Sequence, residues 1–351
     1  MKARGSALAS IAAALGVLVG PIGASAESPE AFYRSAGLQI VVGYGPGGGY
    51  DVYARTVARH IGRHLPGSPN VVVQNMPGAG SLKAANYIYN VAPKDGSQIA
   101  IFARGLAMQP LLDAQGVQYD PTKFGWVGSV ADEISVTFAA SDRGFKSFDD
   151  LRKREMIVAA SGSGADSAIY PYIMNAVLGT KFKVITGYPD SNASMLAIER
   201  GEVDGSAATS WGTLTSTKAD WLATGKVAVL GQLALQKKAD VGDVPLIIDF
   251  AKTPEDRSTL ELIFARQSMA YPFTAPPGIP ADRLSVLREA FMKTIKDEQF
   301  LAEAKKMGIE VQPASGEDVA RIVQRIFASS PEVVARARAA IADGVKRTRG
   351  K

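Results

Sequence analysis

The residue string that could do chemistry most directly is GYGPGGGYD, Gly43 to Asp51, set between an apolar run and a helical pattern. Gly45, Gly47, Gly48 and Gly49 let backbone N–H groups approach a ligand without Cβ obstruction. The helix that follows adds its free N-terminal N–H groups and about half a positive charge at the same spot. The result is a cradle for a carboxylate or phosphate, although a tight strand-to-helix turn would use the same glycines. Gly43, Gly45 and Gly48 also satisfy G-x-G-x-x-G. The dinucleotide reading fails, because Pro46 sits inside the turn and the next strand ends in Gln74-Asn75, where a ribose-binding acid is needed. No Gly-Lys-Ser/Thr follows, which removes a Walker A loop. A second loop of similar design is Ser161-Gly162-Ser163-Gly164-Ala165-Asp166. Ser161 and Ser163 add hydroxyl donors there, and Asp166 or Ser167 is placed to cap the following helix.

Arg104 lies just past an apolar strand, at the carboxyl end where open α/β sheets place their ligands. It suits either a two-hydrogen-bond clamp on a second carboxylate or a salt bridge between domains. Tyr188, Asp190 and Asn192 fall on a comparable strand-to-helix loop, and Trp211 follows another strand as a cleft wall or a core anchor. If Tyr44, Tyr188 and Trp211 all line one cleft, a flat or aromatic ligand is expected. No catalytic constellation is singled out by the residues. His60 and His64, spaced i, i+4 in HIGRH, lack the glutamate of a zinc motif and read as last-turn helix residues. No G-x-S-x-G elbow occurs. The acid pairs Asp132-Glu133 and Asp149-Asp150 read as solvated loop residues. The chain has no Cys, so thiol nucleophiles, disulfides and Cys-ligated metal are excluded.

These loops need elements to position them, and the pattern supplies strands alternating with helices. Strands are expected at Leu38 to Val42, Asn70 to Val73 and Gln98 to Phe102, with helices at Val52 to His64 and Ser81 to Val91. A second block has strands at Ser135 to Ala139, Met156 to Ala160, Lys183 to Ile185, Val203 to Ala207 and Val227 to Leu230. Its main helices are Asp166 to Leu178 and Ala193 to Arg200, and the tail after Leu246 reads as mainly helical. The class is α/β, with mostly parallel sheets flanked by helices. The expected division is 27–133 plus 232–351 for a discontinuous first domain and 134–231 for the second, so the chain crosses the hinge twice.

Ahead of both, Lys2 and Arg4 precede an apolar stretch from Ala7 to about Val19, then Pro21, Gly23 and Ala24-Ser25-Ala26. That order is the signature of a signal peptide, residues 1–26, cleaved after Ala26. Of 351 residues, 46% are hydrophobic and 21% charged, enough for two sizeable cores. The net charge of +5 is small and its lysines and arginines are interspersed with acids, which is not a nucleic-acid footprint.

The strings VVGYGPGGGYDVYAR, VVVQNMPGAGSLKAANYI, APKDGSQIAIF, ASGSGADSAIYPYIM, GYPDSNASMLAIERGEVDG and APPGIPADRLSVLREAF occur in the right order for one family. Together they resemble the Bug-type (TctC-like) receptors, extracytoplasmic solute-binding proteins of tripartite tricarboxylate transporters. Three details differ: Tyr44 and Tyr50 in the first loop, Ala165-Asp166 in the second, and ITGYPDSN near Tyr188. The resemblance implies a two-domain, type II periplasmic-binding-protein (Venus-flytrap) fold holding an organic acid in its cleft. By the same resemblance, Tyr44, Pro46, Gly47, Gly48 and Asp51 would face the ligand from one domain, and Ser161, Gly162, Ser163 and Asp166 from the other. Asp51 would cap its helix or hold water, since direct contact with an anion is repulsive. The implied protein is a periplasmic monomer without cofactor, metal or enzymatic activity, delivering its acid to membrane permease subunits. A receptor for a signalling kinase and an exported hydrolase are the alternatives.

Overall fold

A computed structural model describes residues 27–161, 165–188 and 191–349. The expected signal peptide lies outside them. Strands β1 (Leu38–Val42), β2 (Val71–Asn75), β3 (Gln98–Ile101) and β4 (Gly125–Ser129) come first. They are followed by β5 (Ser135–Ala140), β6 (Met156–Ala160), β7 (Phe182–Thr186), β8 (Gly205–Ser210) and β9 (Val227–Leu233), and then by β10 (Pro272–Ala275) and β11 (Ala314–Ser315). They form two sheets, ordered β11-β4-β10-β3-β1-β2 and β7-β6-β8-β5-β9. In the first, only β10 and β11 run against the others, and in the second only β5 does.

β1 is the interior strand between β2 and β3, so Ile40, Val41 and Val42 are inaccessible to water on either face. β6 is likewise interior, between β7 and β8, and its apolar run MIVAA is buried except at the half-buried Ile157. Both strands therefore deliver their following loops from fixed, buried positions. The helices that start in those loops are Gly49–Ile61 and Asp166–Leu178.

The segment after Leu246 is not wholly helical. Within it, β10 returns to the middle of the first sheet, between β3 and β4. It has four residues and starts with Pro272, which removes a ladder donor at the strand's first position, where it is tolerated. β4 was also unanticipated, because Gly125 and Gly128 interrupt its apolar run. Where the sheets meet side by side, backbone hydrogen bonds tie the linking segments together: Ala270 N–H donates to Ala131 O at 3.0 Å, Glu133 N–H to Gln267 O at 3.0 Å, and Asp132 N–H to Gln312 O at 2.9 Å. The C-terminal helix Pro331–Arg349 packs on Asp166–Leu178, with the Tyr172 hydroxyl 2.8 Å from Thr348 Oγ1. One apolar cluster runs unbroken from Ala84 and Ile88 beside the first sheet to Tyr170 and Ile173 beside the second.

Candidate functional site

The first glycine loop begins with a close approach. A Cβ on Gly43 would lie 2.6 Å from Ser81 Oγ, whose hydroxyl donates to Gly43 O at 3.1 Å. Beyond it the loop opens. A Cβ on Gly45 or Gly47 would meet nothing within 4 Å, and Gly47 has φ +83°, a left-handed conformation that favours glycine. Pro46, Gly47, Gly48 and Gly49 are exposed.

Asp51 holds this loop in shape. It is only 2% exposed. Its Oδ2 accepts from Gly47 N–H at 2.8 Å and Arg55 Nε at 2.9 Å, and its Oδ1 accepts from Asn75 Nδ2 at 2.8 Å. Asn75 also donates to Tyr44 O at 2.9 Å. Burial pushes the Asp51 carboxyl up, but the hydrogen bonds from Arg55, Gly47 and Asn75 outweigh it and hold it below its usual value. Both the Asp51 carboxylate and the Gly47 N–H are therefore committed to the loop.

Arg104 stands at the start of a 3₁₀ turn just past β3, with its side chain 11% exposed. Nη1 lies 2.5 Å from Glu133 Oε2, while Nε and Nη2 reach Asp166 Oδ2 at 3.2 and 2.9 Å. Asp166 opens the helix after β6, so this pair ties the carboxyl ends of two strands in different sheets. Arg266, 2% exposed, binds the other Asp166 oxygen from Nη1 at 3.2 Å and the Tyr170 hydroxyl from Nε at 3.2 Å. Its Nη2 has no hydrogen-bond partner. Glu133 also accepts from the Ser210 hydroxyl at the end of β8. Burial would raise the Asp166 carboxyl, yet Arg266 and Arg104 hold it below the usual carboxylate range. Burial would lower the Arg104 guanidinium, and Glu133 and Asp166 instead raise it well above its ordinary value.

Beside this network lies a run of tyrosines. Tyr44 stacks on Tyr50 at 4.9 Å between centroids, Tyr50 leans on Tyr271 at 5.2 Å, and Tyr271 stacks on Tyr53 at 3.6 Å. The Tyr50 hydroxyl accepts from Arg104 N–H at 3.1 Å and donates to Ala270 O at 3.2 Å. This run therefore links the first glycine loop to the Arg104 turn and to the connection between sheets.

Ser161, Tyr188 and Trp211 follow the strands β6, β7 and β8 of the second sheet. Ser161 is exposed at the end of β6, its N–H 3.4 Å from Ser167 Oγ. Gly162, Ser163 and Asp190 lie outside the described residues. Tyr188 packs on the second sheet's far apolar cluster, and its phenol is raised by burial and then by the Glu202 charge. Trp211 rests on the same cluster and donates Nε1–H to Asp240 Oδ2 at 3.0 Å. Tyr188 N–H donates to Ala160 O at 3.3 Å beside Ser161, and Trp211 follows Ser210, whose hydroxyl meets Glu133.

Glu133 corrects an expectation: far from being solvated, it is 9% exposed, because the connection carrying it is enclosed where the sheets meet. His60 and His64 face the Glu298–Lys306 helix and its N-cap, at 2.5 Å from Glu303 and 3.0 Å from Asp297. No cluster of three or more metal-ligating side chains occurs among the described residues. Arg266, Tyr170, Tyr271 and Ser210 were missed by sequence reasoning. Arg266 sits in an unpatterned FARQS string, and only the return of β10 brings it to the second loop's helix.

Two helix-flanked, mixed sheets, with charged and glycine-rich loops meeting at their strand ends, define a two-lobed periplasmic-type solute-binding fold. The chain belongs to the tripartite tricarboxylate transporter receptor family, which it matches over residues 53–338. It is 23% identical over 311 residues to the UPF0065 protein in the gbd 5′ region of Cupriavidus necator, covering 86% of each chain. Among solved structures it resembles a TctC solute-binding protein from Polaromonas (TM-score 0.65, 19% identity, 87% of this chain and 98% of that one). It also resembles MatC of Rhodopseudomonas palustris, solved with bound malate (TM-score 0.62, 19% identity, 87% and 98%). The family and these neighbours are binding proteins.

Proposed function

We propose that this protein is a periplasmic receptor that captures a small organic acid between its two sheets and hands it to a membrane permease. The observation that carries this reading is the bridge Arg104–Asp166, which joins the carboxyl ends of strands in both sheets beside an open glycine loop. The malate bound by MatC agrees with an acid as ligand. In this reading residues 27–133 and 232–351 make one domain and 134–231 the other, with the C-terminal helix Pro331–Arg349 crossing back to pack on Asp166–Leu178 of the second. The first loop holds the ligand, and the second adds contacts only when the domains close, so ligand drives closure. In this reading the chain is exported and then cleaved after Ala26, which N-terminal sequencing of the periplasmic form would reveal. The test of function is a thermal-shift screen of the chain from Glu27 against mono-, di- and tricarboxylates, aromatic acids, amino acids and sugars. At a hundredfold excess over its dissociation constant a ligand adds about 2.7 kcal/mol. A shift from at least one acid is expected; silence from all acids, with a shift from sugars, would overturn the proposal.

A further inference from the structure

Between Arg104 and Arg266 there is already a carboxylate, and it belongs to the chain. Each Asp166 oxygen is gripped by a different guanidinium: Oδ2 by Arg104 and Oδ1 by Arg266. Arg104 spends its remaining terminal nitrogen on Glu133. Two cations and two anions thus close a neutral set in an enclosed place. The other cations around it are also matched, Arg55 by Asp51, and Lys238 by Glu310 and Asp132. The one unpartnered buried side-chain donor among the described residues is Arg266 Nη2. The adjoining wall of tyrosines carries no formal charge, since burial raises the phenols of Tyr44, Tyr50 and Tyr271 further above neutrality.

We infer that Asp166 is a tethered carboxylate that sets the charge of the ligand: the cleft takes acids with a single carboxylate and excludes those with two or three. This rests on the reading of the cleft as an organic-acid site. A ligand's one carboxylate is served by the first glycine loop and its helix N-terminus. A second would arrive at guanidiniums already neutralised and would confront Asp166 and Glu133 directly. Like charges brought together in a desolvated site strongly oppose binding. The chain would in this respect differ from MatC, whose bound malate has two carboxylates.

The experiment is calorimetric titration of the chain from Glu27 with succinate, its monomethyl ester, butyrate and benzoate at neutral pH. The monoacids are expected to bind on the order of a hundredfold tighter than succinate. In Asp166→Asn, the ratio of monoester to succinate affinity should fall by at least about tenfold; Asp166→Glu should keep the exclusion. The wild-type comparison of succinate with its monoester stands even if Asp166→Asn does not fold. Succinate binding wild type as tightly as the monoester would overturn the charge rule alone and leave an acid receptor. Silence from every acid would overturn the rule and the receptor reading together.

Discussion

Asp51 shows how a single side chain can fix the shape of a whole loop. Its two oxygens fasten Gly47, Arg55 and Asn75, and through Asn75 the Tyr44 carbonyl. Asp51→Ala leaves those donors without a buried acceptor, which should cost about 1–3 kcal/mol of unfolding free energy and weaken acid binding with it. Denaturant midpoints and titration of the same sample would check both; an unchanged affinity would detach the loop from the site. Gly47 gives a complementary case. Its Cβ space is open but its φ of +83° is hostile to a branched residue, so Gly47→Val should lose binding through loop distortion while retaining the fold. Circular dichroism with titration separates those outcomes. At Gly43 the reverse holds: an added methyl collides with Ser81, and Gly43→Ala should destabilise by about 1–3 kcal/mol.

At the scale of elements, the helices and sheets are positioned by a chain that returns. The C-terminal helix Pro331–Arg349 crosses onto Asp166–Leu178, and a Cβ on its Gly344 would overlap the Tyr172 ring. Gly344→Leu should push these helices apart and lower the melting temperature, without any new charge to explain it. A melting temperature equal to wild type would show that the helices do not need this close approach. Much of the architecture around the loops was legible in the sequence. Met156–Ala160 and Asp166–Leu178 were expected with the boundaries observed, because an apolar run and a glycine-serine break mark them sharply. β4 and β10 were not, since their identity as strands comes from neighbours far away in the chain: β10 pairs with β3 and β4 across a long excursion. The site divides the same way. Arg104 and Asp166 stood out by their positions after strands, but Arg266, Glu133 and the Tyr44–Tyr50–Tyr271–Tyr53 run are assembled by tertiary contact. No spacing encodes them.

For the molecule as a whole, the depressed carboxyls make stability depend on acidity. Asp51 and Asp166 both titrate lower in the folded chain than their usual value. Their stabilisation is complete above the ordinary Asp range near about 4 and is lost as pH falls below it through the lowered values. Urea unfolding should give flat stability from neutrality to mildly acid solution and a decline below. Asp166→Asn should decline less steeply; a wild-type stability that rises on acidification through this range would contradict the assignment.

The proposed function requires that the cleft between the sheets recognise a ligand by its carboxylate. The direct measurement is a pair of calorimetric titrations of the chain from Glu27, with the best acid from the screen and with its primary amide, equal in shape but without the charge. Binding of the acid with at least about tenfold loss for the amide is the predicted result. Equal affinity for the two would mean that the glycine loops are turns rather than an anion cradle.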